Sequence, residues 1–178
     1  METTNESSRG RMLTGMFNDR KSAESAYSAL ENRGYSKDDV NLMMTDETRK
    51  KHFNDDDYDS DLGTKAGETA GKGSVIGGTA GAVIGAIAAI GTSVLIPGLG
   101  LLVAGPLAAG LAGAGAGSLA GGIVGALIGS GIPEDRAKEY EEGVKNGRIV
   151  MGVNARNDED ADYFEQHRRD NQAEGLYR

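Results

Sequence analysis

The residues best suited to chemistry by type and spacing are the carboxylates between Asp55 and Glu68. Asp57, Asp59, Asp61 and Glu68 occupy positions one, three, five and twelve of a twelve-residue loop, the spacing with which an EF-hand surrounds calcium with oxygen. The pattern fails at position six, where the loop needs glycine for its sharp turn. Leu62 stands there and Gly63 follows it. No pair of flanking EF-hand helices is evident, so the stretch reads as a solvated acidic linker, with weak Ca2+ or Mg2+ association as its only metal chemistry. A second candidate, GETAGKGS at 67–74, has the outline of a phosphate-binding loop. Its first glycine lies one residue too close to Gly71 and Lys72. Gly73 stands where the Mg2+-binding hydroxyl belongs, and no strand of a parallel sheet precedes it.

The remaining polar residues assemble nothing sharper. His52 and His167 sit in no ligand motif, and Glu134, Asp135, Glu139, Glu141 and Glu142 alternate with Arg136, Lys138 and Lys145 as on a solvated helix face. There is no cysteine, hence no disulfide framework and no thiol chemistry. No nucleophile has an evident base and orienter. A non-enzymatic protein with no cofactor and no small-molecule substrate is therefore expected. The 19 basic and 27 acidic residues leave a net charge of −8. That balance argues against a nucleic-acid partner, which would call for excess Lys and Arg on phosphates, and against a polybasic anchor on anionic lipid. Met1 to Gly10 is polar and lacks the basic and apolar regions of a signal peptide.

Glycine is the dominant feature. From Gly73 to Pro133, 61 residues contain no Asp, Glu, Lys, Arg or His, whereas both flanks are highly charged. Within this run Gly73, Gly77, Gly81 and Gly85 repeat every four residues, as do Gly113, Gly117, Gly121, Gly125 and Gly129. In a helix that spacing makes a stripe without side chains, along which another backbone approaches closely. Pro97, Gly98 and Gly100 read as the turn between two such helices. Each interior glycine costs roughly 1 kcal/mol relative to alanine, so isolated helices of this composition fail in water. Either lipid enforces their backbone hydrogen bonds or tight protein packing surrounds them.

The flanks supply the elements that would position this segment. Met12 to Phe17 reads as a strand, and Asn18 or Asp19 caps a helix whose Ala23, Ala26, Tyr27 and Leu30 share one face. Gly34 stops it, and Val40, Leu42 and Met44 alternate as a second strand. After the glycine run, Pro133 opens a helix with Ala137, Tyr140 and Val144 buried and Gly147 as its stop. Ile149, Met151 and Val153 form a third strand, and Asn157 caps a helix carrying Ala161, Phe164 and His167. Neither flank alone buries enough apolar surface to fold. The fold class expected is therefore α+β: a small three-stranded α/β sandwich split by a long glycine-zipper α-helical hairpin. Its parts are an N-terminal half (1–53), an acidic linker (54–66), the hairpin (67–132), a C-terminal half (133–170) and a frayed tail (171–178).

Each arm of the hairpin exceeds the roughly 20 residues that cross a bilayer. The expected protein is accordingly a homo-oligomer whose hairpin inserts into the bacterial inner membrane, a lipid bilayer, with both ends cytoplasmic. Lys65, Lys72, Arg136 and Lys138 flank the spans on that side. The alternative is a soluble cytoplasmic assembly (filament, ring or shell) with hairpins buried between subunits.

Three stretches carry a family resemblance. LTGMFNDRKSAESAYSALENRGY with VNLMMTDETRK resembles the heat-induced stress protein domain of the YflT type. The glycine run from Asp61 to Gly122 and GIPEDRAKEYEEGVKNGRIVMGVNA resemble glycine-zipper relatives of that bacterial general stress protein family. The most specific segments are IPGLGLLVAGPLA and GIPEDRAKEYEEGV, and the resemblance spans roughly residues 11 to 165. It implies a bacterial, stress-associated protein and implies no enzymatic reaction.

Overall fold

The computed structural model describes residues 11–53, 94–96, 100–108, 122–129 and 131–178. In the N-terminal part, β1 (Arg11–Phe17) precedes α1 (Arg20–Asn32), and β2 (Val40–Thr45) precedes α2 (Asp46–Phe53). Asp19 caps α1, its Oδ1 accepting from the Ser22 N–H at 2.9 Å. Ala23, Ala26, Tyr27 and Leu30 are buried on one side of the helix, as the spacing requires. At the other end of the chain, α4 (Glu134–Lys145), β5 (Ile149–Ala155) and α5 (Asp158–Asp170) lie where the sequence pattern puts them. Asn157 caps α5 by accepting from the Asp160 N–H at 2.7 Å.

The flanks interlock. β5 lies between β1 and β2 and runs antiparallel to both, with Leu13 opposite Val153 and Leu42 opposite Met151. Side chains reinforce the junction between the start of α5 and the end of α1. Tyr35 Oη donates to Asp160 Oδ2 at 2.9 Å and accepts from the Arg156 N–H at 2.8 Å. Arg33 pairs with Asp160 at 3.2 Å, and the Arg156 guanidinium lies 4.1 Å from the Tyr35 ring centroid.

Three features differ from the sequence expectation. First, the sheet has six strands, in the order β3–β4–β2–β5–β1–β6, every neighbouring pair antiparallel. Second, two of these strands come from the stretch read as a helical hairpin: β3 (Val94–Ile96) and β4 (Leu101–Ala104). Pro97 and Pro106 bar a continuous helix, and Leu101–Ala104 is a short, fully buried apolar run of the kind a sheet interior takes. Such a run has no alternation from which a strand could be read. Third, the tail forms a strand, β6 (Glu174–Tyr177), on the free edge of β1. The eight-residue α2 was also missed, since its charged sequence has little apolar periodicity.

Helices cover both faces of the sheet. On one face, Leu13, Phe17, Val40, Leu42, Met44, Leu102, Met151 and Val153 pack with Tyr27 and Leu30 of α1 and Phe164 of α5. On the other, Met16, Met43, Leu101, Val103 and Val150 pack with Tyr140 and Val144 of α4 and with α3 (Gly122–Gly129). Gly105 fixes how the chain leaves β4. Its φ is +87°, and a Cβ there would lie 2.0 Å from the Val40 carbonyl oxygen. Only glycine lets the two backbones meet so closely. Just beyond it, the Leu107 N–H donates to Asn41 Oδ1 at 2.7 Å.

Candidate functional site

Helix α3 is where the predicted glycine ladder enters the described structure. Its sequence, GIVGALIG, carries glycine at both ends and in the middle, which by propensity alone disfavours a helix. Tertiary packing holds it. Ile123 and Leu127, four residues apart, are buried in the same cluster as Tyr140 and Val144 of α4. A Schellman closure ends it: the Ile132 N–H donates to the Leu127 carbonyl at 3.1 Å and the Gly131 N–H to the Ile128 carbonyl at 2.9 Å. Ile132 is buried in the same cluster.

The other side of α3 is open. Ile128 is 43% exposed, the only large exposed hydrophobic side chain among the described residues. Gly129 is exposed next to it, and a Cβ at Gly129 would meet nothing among the described residues within 4 Å. Of the nine ladder glycines, Gly125 and Gly129 are therefore on a helix, with Gly125 half-buried and Gly129 facing outward. Gly73, Gly77, Gly81, Gly85, Gly113, Gly117 and Gly121 lie outside the described residues.

Of the predicted turn, Pro97 and Gly98 also lie outside the described residues, and Gly100 adopts a φ of +58°. Its position is a turn, as expected, but one that joins two strands instead of two helices. The turn is also fastened to the body, since the Asp46 N–H donates to the Gly100 carbonyl at 2.7 Å. The acidic residues Asp57, Asp59, Asp61 and Glu68 lie outside the described residues. Among the described residues no group of three His, Cys, Asp or Glu side chains is placed to hold a metal ion.

An open, polar cleft of about 620 Å3 lies where β1 and β2 end and β5 begins. Lys51, Lys145 and Arg148 make it basic, against Glu47. Two of these cations are already engaged: Lys145 pairs with Glu141 at 3.3 Å and Arg148 with Glu174 at 2.6 Å. Burial, and then the charge of Lys51, lower the pKa of His52, which leaves a neutral imidazole at pH 7. Thr48 Oγ1 is bonded to Thr45 Oγ1 at 2.8 Å. That contact supplies no base, and among the described residues the cleft assembles no nucleophile, base and orienter.

His167 is half-buried, and the third position of the buried stripe on α5 belongs to its neighbour Arg168. From Ala161 and Phe164 the helical period reaches residue 168 as readily as 167. An arginine in an apolar stripe is the signal that the spacing alone passes over. Comparison of the chain with protein-family models, with curated proteins and with solved structures finds no match.

Proposed function

We propose that this chain is a non-enzymatic scaffold that self-associates through the small-residue face of its glycine-rich segment, with the α/β body as the rigid mount. The observation that carries the reading is the two-sided character of α3. Its inner side is sealed against α4 through Ile123 and Leu127, while its outer side presents Ile128 beside Gly129, with no neighbour among the described residues within 4 Å of a Cβ at Gly129. A glycine face lets a second backbone come close enough for continuous dispersion contact. A second copy of the chain brings the same face.

Of the two settings for such association, a soluble assembly has the better support. In a membrane hairpin with its turn at 97–100, the turn would lie across roughly 30 Å of hydrocarbon from the body. The Gly100 carbonyl instead bonds the start of α2, and β4 pairs with β2 from Leu101 to Ala104. No helix among the described residues is long and apolar enough to cross a membrane. The 61-residue uncharged run keeps a bilayer-inserted scaffold as the second reading. Under the resemblance to bacterial general stress proteins, either scaffold would serve a stress response.

Sedimentation velocity in detergent-free buffer, with flotation on phospholipid vesicles in parallel, separates the two. The soluble reading expects oligomers without lipid and no flotation. Gly129→Leu is expected to shift the oligomer towards monomer while leaving the melting transition in place, because nothing among the described residues contacts that position. A protein that is monomeric at all concentrations and does not float would contradict both readings.

A further inference from the structure

Among the described residues no carboxylate pairs with Arg168. Its residue is 2% exposed, and neither Nη1 nor Nη2 finds a hydrogen-bond partner among the described residues. Removing a guanidinium from water without a partner costs several kcal/mol. Burial lowers its pKa to about 10, which still leaves it protonated at neutral pH. The chain has built around this cation with care. Its stem passes over Gly15, where a Cβ would stand 3.7 Å from Arg168 Cδ and 3.1 Å from Leu176 Cδ2.

Arg168 lines a cavity of about 130 Å3 between α5, β1 and β6, with Thr14 on one wall and Glu165, Arg169 and Arg178 also lining it. The other charges there have partners. Glu165 is paired with Arg169 and with Arg178, and Arg178 is also held by Asp162 and, at 3.7 Å, by Asp158. Thr14 Oγ1 is bonded to Tyr140 Oη at 2.6 Å, and Tyr140 Oη donates to the Gly175 carbonyl at 2.6 Å. Since that proton is committed to Gly175, the Thr14 hydroxyl donates to Tyr140. Neither hydroxyl presents a negative charge to Arg168.

We propose that this cavity is a binding site for a phosphate group. A guanidinium presents two parallel N–H donors that match two oxygens of a phosphate, and the pairing is strongest out of water. The cavity has room for an ion of that size, since a water molecule takes about 30 Å3 in the liquid. Arg169 and Arg178 hold their carboxylates through exposed pairs, which exchange at little cost and can turn towards an arriving anion. Both pair with the one Glu165 carboxylate, and a phosphate offers more acceptor oxygens to neighbouring guanidiniums than a planar carboxylate does. Free phosphate and the phosphoryl group of a small phosphomonoester share this chemistry.

The test is a titration of the full-length, isotope-labelled protein at constant ionic strength with inorganic phosphate, glycerol phosphate and acetate in separate arms. The amides of Thr14, Leu176 and Tyr177 are followed by NMR. Saturable shifts at these amides at millimolar phosphate or glycerol phosphate are expected, and the tighter of the two names the source. Arg168→Gln should weaken the tighter ligand by about tenfold or more. If Arg168→Gln does not fold, Arg178→Gln at the rim should still weaken it by about threefold. No saturable shift in the wild-type protein would overturn the proposal. So would equal shifts in wild type and the arginine variants (an adventitious ion only), or acetate binding as tightly as phosphate.

Discussion

The two faces of the sheet are closed by different means. On the α1–α5 side the cover is aromatic and polar-locked. Phe17, Tyr27, Tyr35, Phe53 and Phe164 fill the core, and the Tyr35–Asp160–Arg33 network ties the helices together. Tyr35 and Phe164 meet edge to face with centroids 5.0 Å apart. On the α3–α4 side the layer is made of methionine, aliphatic residues and alanine with a single aromatic residue, Tyr140. Close approach there depends on small residues: a Cβ at Gly143 of α4 would lie 2.3 Å from Met16 Sδ. The first face is closed by α1 and α5, whereas the second ends in α3, whose outer side is apolar and meets no cover among the described residues. A helix rich in glycine that is exposed on one side is costly to keep unless that side has a use, and this is the physical basis for assigning association to it.

Truncating a large side chain on each face should sharpen this contrast. Phe164→Ala is expected to lower stability by about 4 kcal/mol, because it empties the space under Tyr35 and leaves a cavity that the helix pair closes only in part. Leu127→Ala should cost about 3 kcal/mol, since α3 can settle more freely onto α4. Urea denaturation read by far-ultraviolet circular dichroism measures both. Equal losses, or a larger one at Leu127, would mean that the two faces are equally rigid.

A smaller effect is expected at the Asp19 cap. Asp19→Ala should cost about 1 kcal/mol at neutral pH. Its carboxyl is held below the ordinary value of 3.8, chiefly by the Ser22 backbone N–H. The folded value being the lower one, this contribution is complete above pH 3.8 and is lost as the pH falls through the folded pKa. The gap between wild type and Asp19→Ala should therefore narrow in acid. Asp19→Asn, which keeps the acceptor without the charge, should show a smaller loss and little pH dependence. A gap that stays constant down to low pH would assign the cap no electrostatic part.

The smallest change is a gain. Helix α5 closes with the Ala173 N–H on the Arg168 carbonyl at 2.9 Å and the Gln172 N–H on the Arg169 carbonyl at 3.0 Å. Gln172 thus takes the left-handed place with a φ of +57°. The matching place holds Gly34 after α1 and Gly147 after α4. Gln172→Gly should add about 1 kcal/mol by removing the side-chain penalty of that conformation. No change in the melting temperature would show that the Gln172 side chain contributes contacts of equal worth.

What could be read from the sequence followed the same division. The amphipathic stripe of α1 and the Asp19 and Asn157 caps came from residues that stand between water and the core, whereas β2 and β5, buried on both faces, were legible because polar and charged residues bound each short apolar run. A helical stripe is visible only where water and core contrast in this way. Leu101–Ala104 is buried on both sides and flanked by more apolar residues, so it carried no contrast, and the four-residue glycine register imposed a helical reading on it. β6 escaped because its short, polar-edged sequence becomes a strand only against the free edge of β1. At the candidate surface, Gly125 and Gly129 fall on a helix, but which side of α3 they occupy follows from the packing of Ile123 and Leu127 on α4. Arg168 was passed over because its burial depends on Gly15 and β6, which are distant in sequence.

The claim on which the rest depends is that β3, β4 and α3, which the glycine-rich segment supplies, are part of the folded core and not of a separable hairpin. Excising residues 67–131 and joining the ends with a short flexible linker tests it directly. The excision removes β3, β4 and α3 together and bares Met16, Met43, Val144 and Val150. Leu101, Leu102 and Val103 alone contribute on the order of 2 kcal/mol each through burial, in sum comparable to the whole net stability of a marginally stable domain. Membership in the core predicts a variant with no cooperative thermal transition by circular dichroism and a tendency to aggregate. A soluble variant that melts as sharply as the parent would contradict it, and would restore a sheet of the flanks alone with an independent insertion.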